Sequence, residues 1–434
     1  MNRLNTLVVA ALCLTATTTM AQTFAITGAR VHTMSPAGTL DDATLIVQDG
    51  RILDVGASLA VPPGVAVVDA RGKVITPGLV SPYGALGIVE VDGVVGTVDG
   101  VQRGAQFSAG FDIADAYNPR STLIAVNRSE GITSALIAPQ SAPPDPLGNA
   151  SSVMSGLAAI VSLQDGKDFL VRRGAAMIVN LGESGGEFAG GSRAAALLIL
   201  RQAFEEAIDY RENKAAHDRG DWRDYSLSRA DLDALQPVLE RRIPLLARVN
   251  RAIDISVAID MAIEYRIRLV VVGGSEAWMV ADALAAANVP VILDSMNNLP
   301  ASFDKLNARL DTAKLLHEAG VLFTFGGDSA NQTHNARNIT QAAGIAVANG
   351  LDWDAALRAI TAAPAEVLGI ADSRGSLAPG AAADLVIWPG DPLELTNYPE
   401  AVYISGQAVN MQNRQTMLRD RYLQASDKPP AFRD

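Results

Sequence analysis

Short apolar runs of strand length alternate with longer helix-forming stretches through the middle of this chain, and that alternation restricts its fold more than any other feature. The runs fall at 132–138, 176–181, 245–249, 269–272, 289–293 and 321–325. Helix-like stretches at 194–210, 252–265, 277–287 and 306–319 separate several of them, and helices at 341–368 close the series. Repeated βα units of this length predict an α/β fold, a (β/α)8 TIM-like barrel. A doubly wound open sheet is the alternative, but no glycine-rich dinucleotide fingerprint supports it. The glycine-rich stretch 185–191 lacks the Lys-Ser/Thr of a phosphate loop and is expected to be a flexible loop of the barrel.

The two ends of the chain have a different texture. Residues 23–76 carry strand-like runs at 24–31, 43–47, 51–55 and 65–69, with Asp49-Gly50 as a hairpin signal. Similar runs return at 384–388, 401–404 and 407–409, with Ser405-Gly406 as a turn. Domain termini often lie close together, so the two segments are expected to pair into one small composite β-sandwich. The expected division is 22–75 for its first part, 76–372 for the barrel, and 373–434 for its second part and a C-terminal tail.

Residues 1–21 read as a signal peptide. Arg3 supplies the positive n-region, Leu7 to Leu14 the apolar core, and Thr19-Met20-Ala21 a cleavage site before Gln22. The apolar core is too short to anchor the chain stably in a bilayer. Cys13, the single cysteine, lies in this segment, so the processed chain has no disulfide, thiolate nucleophile or thiolate metal site. The periplasm or the exterior is the expected location. A net charge of -12 argues against nucleic acid and anionic membrane as partners.

Two stretches carry a family resemblance. Thr76-Pro77-Gly78-Leu79-Val80 follows the first β-segment and opens the barrel. Near the other end, Ala355-Ala356-Leu357-Arg358-Ala359-Ile360-Thr361 leads to Pro364-Ala365-Glu366-Val367-Leu368-Gly369, then to Gly375-Ser376-Leu377-Ala378-Pro379-Gly380 and Ala383-Asp384-Leu385-Val386-Ile387. In this order they resemble the amidohydrolase superfamily, in particular its imidazolonepropionase-like and exported members. The resemblance spans nearly the whole processed chain. It implies a barrel whose first strand ends in a His-x-His pair, with histidines ending strands five and six and an aspartate ending strand eight. A Lys or Glu from strand three or four often bridges metals. Neutral imidazole and carboxylate hold Zn²⁺ with one position open, and the metal lowers the pKa of its bound water to about 7.

The sequence departs from that pattern. Its four histidines are His32, His217, His317 and His334. His32 falls in the N-terminal β-segment, His217 in a polar stretch and His317 within a helix, so these three are expected at the surface or in packing. Residues 77–87 place Tyr83 and Ala85 where the His-x-His pair belongs. Arg248 stands at the strand-five position and Gly273 at the strand-six position. Asp328 matches the strand-eight aspartate, and Glu183 resembles the Leu-Gly-Glu of exported relatives. His334 lies six residues beyond Asp328, within reach of the barrel mouth.

Alternation along a strand puts Leu246, Arg248 and Asn250 on one face. Arg248 is expected to replace the lost metal electrostatically and to pair with Asp328 or Glu183, because carboxylates without a cation are costly in a partly desolvated pocket. These residues imply a catalytically degenerate amidohydrolase with no cofactor, zinc being the family default. It would act as a binding or partner subunit, a homo-oligomer or a hetero-oligomer with an active paralogue. Two alternatives stay open. One is a hydrolase of C–N bonds using Asp328, Glu183 and His334. The other is a ligand-binding protein whose Tyr83, Arg248 and Asn250 line a pocket for an anionic small molecule.

Overall fold

The structure, a computed structural model, describes residues 23–91, 93–102, 107–142, 152–296, 299–327 and 335–423. The proposed signal peptide lies outside them. Strands β1 (Phe24–His32), β2 (Thr39–Gln48), β3 (Arg51–Gly56), β4 (Ala66–Asp69) and β5 (Val74–Pro77) form one part of a mixed sheet. β16 (Leu385–Trp388), β17 (Ala401–Ile404) and β18 (Gln407–Ala408) complete it, with β16 antiparallel to β5, so the sheet is assembled from both ends of the chain. Asp49 and Gly50 both have positive φ, 53° and 76°, as do Ser405 and Gly406, 47° and 73°. A two-residue hairpin whose twist matches its strands requires this. The two turns pack on each other: a Cβ on Gly50 would lie 2.6 Å from the Ser405 carbonyl oxygen.

The second sheet is the barrel. Its strands are β6 (Leu79–Gly84), β8 (Ile132–Ile137), β10 (Met154–Ser162), β11 (Leu170–Asn180), β12 (Leu245–Val249), β13 (Leu269–Gly273), β14 (Val291–Leu293) and β15 (Phe323–Phe325), adjacent in that order. β7 (Val101–Gln102) and β9 (Gln140–Ser141) form a short parallel pair outside it. The third barrel strand is a departure from the expected βα repeat: β10 runs antiparallel to both β8 and β11. Only residues 163–169 link β10 to β11. A link that short permits an antiparallel return, whereas a parallel one needs a crossover of a dozen or more residues.

The seam between β15 and β6 is bridged by backbone. The Ala359 carbonyl accepts from Phe325 N–H at 3.3 Å and Thr324 Oγ1 at 2.7 Å, and the Ile360 carbonyl accepts from Val80 N–H at 3.0 Å. Inward-facing Val80, Leu136, Ile160, Ile178, Leu246, Val270 and Ile292 fill the barrel, and Val367, Leu368 and Ile370 join them. Outside, the helices α1 (Thr122–Arg128), α2 (Gly182–Phe188), α3 (Arg193–Asp218), α4 (Arg229–Leu239), α5 (Ala252–Glu264), α6 (Ala281–Ala286) and α7 (Thr312–Glu318) surround much of it. The glycine-rich stretch 185–191, expected as a loop, belongs in part to α2. Gly185 and Gly186 are buried there, and a Cβ on Gly185 would lie 2.4 Å from the Asn180 carbonyl oxygen. These glycines serve close packing.

Candidate functional site

Arg248 lies near the carboxyl end of β12, in a row shared by the neighbouring parallel strands. Register aligns Asn180, Arg248, Val272, Ile292 and Thr324 in one row across β11 to β15. Ile178, Leu246 and Val270 occupy the inward-facing row below. Arg248 therefore stands two residues beyond a core leucine on the same face, as alternation predicts. Its Nη1 donates to Asn180 Oδ1 at 3.1 Å.

Asn180 is fully buried and organises the polar part of this row. Its Nδ2 donates to Ser155 Oγ at 3.0 Å, Ser141 Oγ at 3.2 Å and the Val153 carbonyl at 3.2 Å. The hydroxyls of Ser141 and Ser155 are 2.9 Å apart. A guanidinium, a carboxamide and two hydroxyls thus form one connected network in a largely apolar interior. Sequence reasoning missed Asn180, although it ends an apolar run two residues after inward-facing Ile178. Ser155 lies on β10 and Ser141 on β9, neither of which that reading placed.

Tyr83 is buried among the barrel-filling residues, and Ala85 is buried in the adjoining core. Asn250, just past β12, accepts from Ser275 N–H at 3.3 Å and Ser275 Oγ at 3.0 Å, which ties the β12 and β13 loops together. Gly273 ends β13 with φ 97°, a left-handed conformation that suits glycine. Glu183 is exposed in the first turn of α2, and its N–H donates to Asp304 at 2.5 Å. Asp328 and His334 lie outside the described residues. The other histidines stand apart from this row. His32 packs on Trp353 with ring centroids 4.8 Å apart, His217 lies between Tyr210 and Tyr225, and His317 is in the last turn of α7.

Beyond the row, the rim carries charges in compensated groups. Buried Asp304 pairs with Arg193 at 2.5 Å, and Asp254 pairs with Arg251 at 2.8 Å. The Asp254 hydrogen bond raises the Arg251 pKa, so that charge is fixed. Glu276 accepts from Ala252 N–H at 3.0 Å and from Asn307 Nδ2 at 2.8 Å. A cavity of about 320 Å³ opens beside the ends of β14 and β15, lined by Asp294, Ser295, Gly326, Gly327, Asn335 and Asn338.

Among the described residues, the side chains at the positions expected to hold zinc do not fit that metal. At the four positions where the resemblance places imidazoles stand a phenol, a methyl, a guanidinium and a glycine. The methyl and the glycine offer no lone pair, and a guanidinium is a permanent cation that only donates. Among the described residues, no group of three or more His, Cys, Asp and Glu side chains is placed to hold a metal ion.

Residues 200–418 match the profile of the amidohydrolase family, and the chain belongs to that family. The amidohydrolase tasK of Hapsidospora irregularis is 24% identical over 393 residues, which cover 84% of this chain and 39% of that protein. The chain thus spans about two fifths of that curated relative. Among solved structures, an amidohydrolase from Thermotoga maritima MSB8 superposes with a TM-score of 0.79 at 24% identity, over 90% of this chain and all of that one. A prolidase complexed with N-methylphosphonate-L-proline gives a TM-score of 0.53 at 18% identity, over 90% of this chain and 100% of that one. These similarities establish the fold and leave the chemistry to the residues.

Proposed function

We propose that this chain is an exported, catalytically degenerate amidohydrolase that acts as a binding or partner subunit. The observation that carries the reading is the occupant of the barrel row. Arg248 stands where a metal-binding imidazole belongs, and Asn180 holds its guanidinium by a direct hydrogen bond. A fixed positive charge there opposes binding of a divalent cation and favours an anionic group. Tyr83, Arg248 and Asn250 are the proposed contacts for such a ligand, with Asp328, Glu183 and His334 as the residues a remaining hydrolytic activity would use. The proposed partner is a second copy or a paralogue that keeps its histidines, because a duplicated subunit can retain its contact surface after its site is lost.

Elemental analysis of the processed protein, joined to an assay on a panel of amides with added Zn²⁺ or Mn²⁺, tests the reading. The expected result is metal far below one equivalent and no metal-dependent turnover. One equivalent of tightly held metal with hydrolysis would overturn it. Purification from the native host tests the partner, and an amino terminus beginning at Gln22 in the exported fraction tests the location.

A further inference from the structure

A second cavity, of about 560 Å³, lies at the other end of the barrel, where β13 begins and the chain enters β14 and β15. Three arginines line it: Arg241, Arg266 and Arg268. Among the described residues none of the three makes an ion pair or a side-chain hydrogen bond, whereas the cavity's one carboxylate, Glu366, is taken by Arg358. The rest of the lining is largely apolar, including Ile259, Ile267, Val270, Val289 and Leu322. In a chain of net charge -12, three guanidiniums without an ion-pair partner around one cavity form a local reversal of sign.

The backbone adds an independent observation. Arg241 follows α4 with φ 60°, and Arg266 follows α5 with φ 54°. Each ends its helix in the left-handed conformation, and the next residue's N–H returns to the helix: Arg242 to the Pro237 carbonyl at 2.9 Å, Ile267 to the Ala262 carbonyl at 3.0 Å. Glycine is the usual residue there, and Gly320 fills the equivalent place after α7 with φ 76°. A helix carboxyl end favours a cation. That preference explains the charge, but not why two strained arginines and Arg268 line one cavity.

We propose that this cavity binds a small amphiphilic carboxylate, its apolar body against Ile259, Val270 and Leu322 and its carboxylate among the three guanidiniums. Guanidinium groups present paired N–H donors that match a carboxylate. The site is separate from the Arg248 row and does not depend on the function proposed for it.

The test is calorimetric titration of the processed protein with decanoate, with decanol and inorganic phosphate as probes of the body and the charge alone. Decanoate is expected to bind at least tenfold more tightly than either. Arg266→Gly and Arg241→Gly place glycine where the backbone favours it, so both are expected to fold with a melting temperature at or above the parent's. Each is expected to weaken decanoate at least fivefold, and Arg268→Met likewise. No decanoate binding by the parent, equal binding of decanol, equal binding of phosphate, or undiminished binding by the folded glycine variants would each overturn the proposal.

Discussion

Arg248 and Asn180 face each other across β12 and β11, and their hydrogen bond holds a cationic side chain inside a barrel that is otherwise mostly apolar. Burying a polar group is tolerable only if it is bonded, and Asn180 uses its oxygen on Arg248 and its amide on Ser141, Ser155 and Val153. A double-mutant cycle with Arg248→Met and Asn180→Ala is expected to give a coupling of about 1–2 kcal/mol, in the range for a hydrogen bond to a charged group. Urea denaturation measures it, and a coupling near zero would mean the contact contributes no net stability. A second residue-scale prediction concerns His32. Burial lowers its imidazole pKa below 6.5, and Arg30 pushes in the same direction. Near and below pH 6.5 the folded state therefore binds a proton at His32 less readily than the unfolded chain does, so stability falls as the pH drops through that range. The loss in urea midpoint between pH 7.5 and 5.5 is expected to be smaller in His32→Gln than in the parent. Equal losses would show that His32 plays no part. At this scale the inward position of Arg248 was legible from alternation, but its partner was not, because two of the four network residues sit on strands the sequence did not announce.

Those strands show where the element scale was opaque. The parallel strands β12 to β15 are short, mostly apolar runs, and the sequence reading found all four. β10 carries Gly156 with φ 120°, where a Cβ would lie 2.3 Å from the Phe111 carbonyl oxygen. That glycine accommodates a crossing backbone, a long-range cause invisible in local propensity, and it weakens the strand signal. The 185–191 stretch fails for a similar reason: glycines that read as freedom are required by contact. Gly185→Ala would drive a methyl into the Asn180 carbonyl. The expected cost is about 1–3 kcal/mol, typical of overpacking a tight site. The exposed neighbour Glu187→Ala is expected to stay within about 0.5 kcal/mol. If both variants show the same urea midpoint as the parent, α2 does not pack as described.

At the scale of the whole molecule, one buried ion pair ties the barrel to the composite sheet. Arg374 pairs with Asp384 at the entrance to β16, and both side chains are largely buried, at 11% and 4% exposure. Asp384 also accepts from Ser405 N–H at 2.8 Å, and Arg374 reaches Ser134 of barrel strand β8 at 3.3 Å. The Gly78 N–H, at the junction of β5 and β6, donates to the Asp384 carbonyl at 2.9 Å. Removing one member of such a pair leaves an uncompensated buried charge, a loss of about 3–5 kcal/mol. Asp384→Asn keeps an acceptor for Ser405 while removing the charge, so it isolates the ionic part. Because the pair sits between the two sheets, its loss is expected to lower the hydrogen-exchange protection of β16 and β6 together, within a single cooperative transition. Lost protection confined to β16 would show that the composite sheet opens independently of the barrel.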